Sequence, residues 1–357
     1  VGGAGALSVR LTVPGGEIPA AAITAVGVRS DHRRRGALRA LMRRQLDDVH
    51  AGDEPLAILW ASEATIYQRY GYGLAAFDGT IETATGRTAS GREAEPEGRV
   101  RMVTEEESRE LVPPVYDAMR TSTPGAITRS HDWWNIGILA DPEYLRQGMS
   151  EKYRVVYEAE GAAEGYAIYR VKQDWDHLGP KSVLEVRDAV AVTPRAQRAI
   201  WRYLFDVDLV RTVRAHRLAV PNPLHHLLAE PRALGLAVGD GIWARIVDLP
   251  EALEARRYST TDELVLEVFD RFCPWNEGRW HIRTSGEPGA AKAAVEPTDD
   301  PADLALDTTD LAAAYLGGAR LLDLVSVGRV RERTPGAAAR AHALFSTGRE
   351  PWCNTMF

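Results

Sequence analysis

Val26-Gly-Val-Arg-Ser-Asp-His-Arg-Arg-Arg-Gly-Ala-Leu-Arg39 decides how this chain is read. It is a short apolar strand, a basic turn and the start of an amphipathic helix. After the turn, Leu38, Leu41, Met42, Leu46 and Val49 recur at helical spacing, while Arg39, Arg43, Arg44 and Asp47 fall on other faces. A strand entering a helix through such a turn leaves backbone N–H groups unpaired at the helix N-terminus. Those donors, the positive end of the helix dipole and the flanking arginines suit a phosphate or pyrophosphate. Gly36 admits a ligand close to the backbone because no side chain intervenes. The plainer use of a short arginine run is a solvated helix start. Three consecutive arginines closed by a glycine at a strand-to-helix junction favour anion binding instead.

Upstream, Leu7, Val9, Leu11 and Val13 alternate with small or polar residues, and Pro14-Gly15-Gly16-Glu17 turns the chain back. Residues 18–28 are therefore the returning strand of a hairpin that leads into the basic turn. Downstream, residues 55–61 read as a short buried strand. Residues 86–99, rich in Gly, Ser, Glu and Arg, read as a domain boundary or surface loop. An acidic helix covers 105–119. Val190-Ala-Val192-Thr-Pro-Arg-Ala-Gln-Arg-Ala-Ile-Trp-Arg-Tyr-Leu204 repeats the strand-then-helix rhythm of residues 26–41 but lacks the Arg-Arg-Arg-Gly turn. The second copy thus has no phosphate cradle. Further on, residues 262–268, 278–283 and 303–307 read as strands, with 286–301 as the tip of a long hairpin. Thr309 or Asp310 then caps a helix that Gly317-Gly318 ends.

A chain of 357 residues calls for two or three domains. Hydrophobic residues at 45% and charged residues at 26% describe a soluble globular protein, and the longest apolar stretches fall short of a membrane span. With 43 basic and 50 acidic residues, the net charge of -7 argues against general nucleic-acid binding and is compatible with a cationic substrate. Two cysteines, Cys273 and Cys353, make neither a disulfide framework nor a metal cage and suit a reducing cytoplasm.

Chemistry concentrates in Ser62-Glu63-Ala-Thr-Ile66-Tyr67-Gln-Arg-Tyr70-Gly71-Tyr72-Gly73. A tyrosine is a good acid partner for a leaving thiolate, because its ordinary pKa of about 10 lies not far above that of a thiol, near 8.5. Tyr67 and Tyr70 both qualify; the competing role for each is a core aromatic with a tethered hydroxyl. No His, Asp or Glu stands in an adjacent motif as a base. The pair His225-His226 has no carboxylate or cysteine at zinc spacing, so no metal is expected. Trp133-Trp134 reads as core or interface.

Arg33-x-x-Gly36 resembles the pyrophosphate loop of GNAT acetyltransferases, with Leu38 where most of that superfamily has Gly or Ala. Val26-x-Val28 followed by His32-Arg33-Arg34-Arg35-Gly36-x-Leu38-Arg39 is similar to the Eis-type (enhanced intracellular survival) branch, described as multi-acetylating aminoglycoside N-acetyltransferases. Tyr67-x-x-x-Gly71-Tyr72 resembles the GNAT signature whose tyrosine donates a proton, and Ser62-Glu63-x-x-Ile66-Tyr67 resembles a run that recurs in Eis-type proteins. The Asp303-Leu-x-Leu-Asp307, Asp310-Leu-Ala and Tyr315-Leu-Gly-Gly segments resemble the sterol-carrier-protein fold that closes them.

The resemblance implies an α/β (α+β) architecture in three parts. Residues 1–90 would be a catalytic GNAT domain lacking its N-terminal part, since a GNAT domain starts with a strand and two helices ahead of this point. Residues 91–240 would be a second, degenerate GNAT-like domain, and 241–357 a sterol-carrier-like domain. Acetyl-CoA is the implied co-substrate. Val26, Gly27 and Val28 would offer strand backbone to the pantetheine arm. Arg33, Arg34, Arg35, Gly36, Ala37, Leu38 and Arg39 would form the pyrophosphate turn, with Ser62 and Glu63 near the thioester. Tyr67 would be the acid. The base would be the terminal carboxylate of Phe357, which in this family enters the first domain's active site. Met356 stands where several family members carry an acidic residue that helps to hold a cationic substrate.

The implied acceptor is an aminoglycoside or similar polyamine, and the implied assembly is a cytoplasmic homo-hexamer with neither nucleic acid nor a membrane as partner. Two other functions fit parts of the chain: acetylation of a protein or peptide lysine, and a non-enzymatic carrier of an apolar ligand in the third domain. The intact Arg33–Gly36 turn, which a pure carrier does not need, stands against the carrier.

Overall fold

The structure, a computed structural model, describes residues 1–88 and 98–357. The central part of the loop expected at 86–99 lies outside the described residues. From the N-terminus the chain forms β1 (Gly2–Val13), β2 (Gly16–Val28), α1 (Ala37–His50), β3 (Leu56–Trp60), α2 (Ala64–Tyr67) and β4 (Gly73–Leu74). Next come β5 (Phe77–Ala84), β6 (Arg99–Met102), α3 (Glu105–Arg120), β7 (Tyr153–Ala159), β8 (Ala162–Lys172), β9 (Trp175–Asp176), β10 (Gly179–Pro180), β11 (Ser182–Ala191), α4 (Pro194–Phe205), β12 (Val210–Leu218), α5 (Leu224–Leu227) and β13 (Ala237–Asp240). The last third adds β14 (Ile242–Ile246), α6 (Leu249–Ala255), β15 (Glu263–Phe269), β16 (Gly278–Ser285), β17 (Lys292–Pro297), β18 (Leu304–Asp307), α7 (Thr308–Tyr315), α8 (Leu321–Ser326), β19 (Arg331–Glu332) and α9 (Ala337–Phe345).

Two compact units result: Val1–Phe77 with Thr121–Ile127 and Asp240–Phe357, and Asp78–Arg120 with Thr128–Gly239. In the first unit, one sheet runs β1-β2-β3-β14-β4 and a second runs β17-β16-β15-β18-β19. β14 enters the first sheet from late in the sequence, pairing antiparallel with β3 from Ile242 opposite Trp60 to Ile246 opposite Leu56. It also pairs with the short β4. β3 is apolar on both faces, and Leu56 to Leu59 are buried, as a central strand covered on both sides requires. The buried stripe of α1 is Met42, Leu46 and Val49. It joins Ala21, Ile23, Ala57 and Leu59 of the sheet in one core. The same core takes in Phe272 and Cys273, which follow β15.

In the second unit the sheet runs β13-β5-β12-β11-β8-β7-β6, and α4 buries Ala196, Ile200, Trp201 and Leu204 in its core. α4 follows β11 as α1 follows β2, but its N-terminus is closed. Pro194 opens the helix, and the Thr193 side chain accepts a hydrogen bond from the Ala196 N–H. Glu164 also sits there, accepting from the Thr193 hydroxyl at 2.7 Å and from Arg195 Nε at 2.8 Å. A carboxylate at that helix start repels the anion that an open N-terminus would attract.

Three local expectations change. Residues 292–297, expected within a hairpin tip, form β17, because they pair antiparallel with β16 from Ser285 opposite Lys292 to Trp280 opposite Pro297. β1 begins at Gly2, well before Leu7, because the small residues of its first half still have β2 to pair with. The cap of α7 is Asp307, whose side chain accepts from the Thr309 N–H at 2.9 Å, so Thr309 and Asp310 lie inside the helix.

Candidate functional site

β2 carries the first element of the site. Its parallel pairing with β3 runs from Ala20 opposite Leu56 to Ile23 opposite Leu59, yet the strand continues to Val28. On its other side the register with β1 slips between Gly3 and Gly5, and Ala25 adopts φ +51°. This bulge turns the strand end away from β3. The backbone of Val26, Gly27 and Val28 thus lies beyond the last pairing with β3 and lines the cavity described below.

The turn that follows has positive φ at Arg34 (+61°) and Gly36 (+82°). Gly36 is the N-cap of α1 and supplies no side chain to close its first N–H groups. A Cβ on Gly36 would meet no atom within 4 Å, so the left-handed backbone demands the glycine here and steric room does not. Left-handed residues in such a turn aim successive N–H groups into one concavity, an anion-binding arrangement.

Strand end, turn, α1 start and α2 enclose a cavity of about 840 Å³. Val26, Gly27, Val28, Arg33, Arg34, Gly36, Ala37, Leu38, Arg39, Ser62, Glu63 and Tyr67 all line it. Arg35 is exposed and does not line it, nor does Phe357. His32, Ile66, Arg69 and Tyr70 contribute as well, along with Arg271 and Phe272 from the segment after β15. The last two were not expected; a charged and an aromatic residue beyond a strand end carry no spacing signal that links them to residues 26–70.

Tyr67 is buried and meets Tyr72 edge-on, with ring centroids 6.0 Å apart. Burial pushes its phenol above the ordinary tyrosine range, and Tyr70 and Glu63 add to the rise. Tyr70 is raised by burial too, though Arg69 and Arg39 oppose the shift. Tyr67 therefore holds its proton at neutral pH. The glycines after it have a packing role: a Cβ on Gly71 would overlap the Arg245 guanidinium, and one on Gly73 the Thr309 carbonyl oxygen.

The C-terminal tail is docked. Arg349 Nη1 donates to Ser122 Oγ at 3.0 Å and Thr123 Oγ1 at 2.9 Å, and the Trp352 N–H donates to the Pro124 oxygen at 2.8 Å. Trp60, at the end of β3, donates its indole N–H to the Thr355 oxygen at 2.9 Å. Cys353, Asn354 and Thr355 are buried and Phe357 is half-buried, while Met356 is exposed. Two residues span at most roughly 7 Å, so Phe357 stays close to the strand end that leads into Ser62 and Glu63.

Residues 1–75 and 125–246 each match an acetyltransferase (GNAT) domain, and residues 249–354 match a sterol carrier protein domain. An uncharacterized N-acetyltransferase of Streptomyces avermitilis is 43% identical over 357 residues, 99% of this chain and 85% of that protein. N-acetyltransferase Eis of Mycobacterium tuberculosis is 33% identical over 352 residues, 96% of this chain and 82% of Eis. The crystal structure of Eis1 from Mycobacterium abscessus superposes with a TM-score of 0.83 at 34% identity, covering 100% of this chain and 87% of that one. With two GNAT domains, a sterol-carrier domain and identity to Eis along nearly its whole length, the chain belongs to the Eis family of GNAT N-acetyltransferases.

Proposed function

We infer that the chain transfers acetyl groups from acetyl-CoA to the amines of an aminoglycoside or similar polyamine, at a single site in its first GNAT domain. The observation that carries this reading is one cavity holding both an uncapped, arginine-flanked helix start and a buried, protonated tyrosine. The first suits the pyrophosphate of CoA and the second suits a departing thiolate. The equivalent helix start in the second domain is capped and acidic, which leaves one nucleotide site.

Acetyl-CoA enters as a substrate. Its pantetheine arm lies along Val26–Val28, its diphosphate on the turn from Arg33 to Arg39, and its thioester near Ser62, Glu63 and Tyr67. The acceptor amine attacks the thioester carbonyl, forming a C–N bond and a tetrahedral oxyanion. The Phe357 carboxylate takes the ammonium proton. As the C–S bond breaks, the Tyr67 hydroxyl protonates the thiolate. A terminal carboxylate has an ordinary pKa near 3.5 and is a weak base in water. With Met356 in the penultimate place, the tail lends no second carboxylate to a cationic acceptor.

A thiol-release assay with acetyl-CoA and a panel of aminoglycosides, with product masses read alongside, tests the reading. We expect release that depends on the amine and products carrying one or more acetyl groups. Release with lysine peptides alone would move the acceptor to protein lysines. Acetyl-CoA binding without turnover of any amine would remove the transferase role of this site. The family resemblance further implies a homo-hexamer, which light scattering checks.

A further inference from the structure

The cavity wall supplied after β15 is built around a buried acid. Asp270 Oδ1 and Oδ2 accept from Arg245 Nη2 at 2.8 and 2.6 Å, and Arg245 Nη1 donates to Thr308 Oγ1 at 3.0 Å. Asp270 also accepts from the Cys273 N–H at 2.9 Å and from Asn276 Nδ2 at 3.1 Å. Phe272 is buried, stacked edge-on to Tyr70 with centroids 4.9 Å apart and lying under the Arg43 guanidinium at 4.0 Å. Asp270, Phe272 and Cys273 are thus fixed and buried. Arg271 is the exposed residue among them, and it lines the cavity. Its neighbour's carboxylate is already committed to Arg245.

Five arginines line this cavity, Arg33, Arg34, Arg39, Arg69 and Arg271, against one carboxylate, Glu63. None of the five has an ion pair or side-chain hydrogen bond among the described residues. Like charges gathered without partners repel one another, and a polyanion relieves that repulsion. CoA carries a diphosphate and a separate 3′-phosphate. The turn and α1 start serve the diphosphate, and cations on the other walls remain.

Resting on the acetyl-CoA reading above, we propose that Arg271 pairs with a phosphate of CoA, so that the sterol-carrier-like domain supplies part of the nucleotide site. In this role the Arg245–Asp270 pair positions the segment, and Arg271 makes the contact.

Calorimetric binding of acetyl-CoA and 3′-dephospho-CoA to the full chain, Arg271→Gln and a control, Arg283→Gln on β16 and outside the cavity lining, tests this. Losing one charge-assisted bond should weaken acetyl-CoA binding to Arg271→Gln about tenfold, with binding by the control unchanged. A loss that disappears with 3′-dephospho-CoA names the 3′-phosphate as the partner, and a loss that persists names the diphosphate. Undiminished acetyl-CoA binding by Arg271→Gln, or an equal loss in Arg283→Gln, would overturn the inference while leaving the acetyl-CoA reading intact. Failure of the unaltered chain to bind acetyl-CoA would overturn both.

Discussion

The indole N–H of Trp60 donates a 2.9 Å hydrogen bond to the Thr355 carbonyl, tying the end of β3 to a tail 295 positions later in the sequence. β3 leads directly into Ser62 and Glu63, so this bond ties the tail to the strand that feeds the cavity lining. A phenylalanine at position 60 keeps an aromatic ring but loses the donor, a change worth about 1 kcal/mol. We expect Trp60→Phe to lower kcat several-fold and to leave acetyl-CoA affinity alone. Equal loss in kcat and affinity would mean that Trp60 supports the cavity and not the tail.

Tyr67 offers a pH signature. Burial raises its phenol, as Tyr70 and Glu63 also do, so the protonated form persists through the neutral range and above the usual tyrosine value of about 10. A general acid with a raised pKa loses activity only at high pH. We expect kcat to hold on that limb to about pH 10, and Tyr67→Phe to cut kcat about 100-fold with acetyl-CoA binding retained. Full activity in the phenylalanine variant returns Tyr67 to a packing role.

Gly36 in the turn and Gly71 after Tyr70 should fail in different ways. Gly36 has open space around its missing Cβ but a φ of +82°, so alanine there costs about 1–2 kcal/mol of backbone strain, borne by the turn. Its expected consequence is a KM for acetyl-CoA raised about tenfold with little change in thermal stability. Gly71→Ala adds overlap with the buried Arg245 guanidinium to a φ of +82°. It should destabilise the fold by about 3 kcal/mol, read as a lower denaturation midpoint. A reversed pattern would contradict both assignments.

Arg245 and Asp270 are almost wholly inaccessible. Burial alone would lower the Arg245 guanidinium, but Asp270 and Cys273 beside it together more than offset burial and raise it. Removing one partner strands the other without water. Asp270→Ala is therefore expected to destabilise by about 3–5 kcal/mol. A better-tolerated pair of substitutions, Arg245→Met with Asp270→Leu, should recover part of that loss. Chemical denaturation of the unaltered chain, Arg245→Met, Asp270→Leu and the double variant measures the coupling.

Much of this was legible because single local rules governed it. The hairpin, the basic turn and α1 follow from alternation, a turn cluster and helical spacing within residues 7–49. The echo at Val190 was legible in the same way, and so was its lack of a cradle. The turn's conformation was half legible: sequence marked Gly36 for close approach, while the structure shows a left-handed backbone with room to spare. What sequence did not show depends on pairings between distant residues. β14 completes the first sheet from position 242 onward, and Arg271 and Phe272 reach the cavity because Asp270 bonds to Arg245 on that strand. Apolar periodicity reports which face of a strand is buried, not which strand lies beside it.

Acetyl transfer is proposed to use Tyr67 as the acid and the Phe357 carboxylate as the base. Its most direct test is acetyl-CoA turnover with an aminoglycoside acceptor by the full chain and by a chain lacking only Phe357, with acetyl-CoA affinity measured on both. We expect turnover by the full chain, a loss of about 100-fold or more on deletion, and unchanged affinity. An unchanged rate without Phe357 would contradict it.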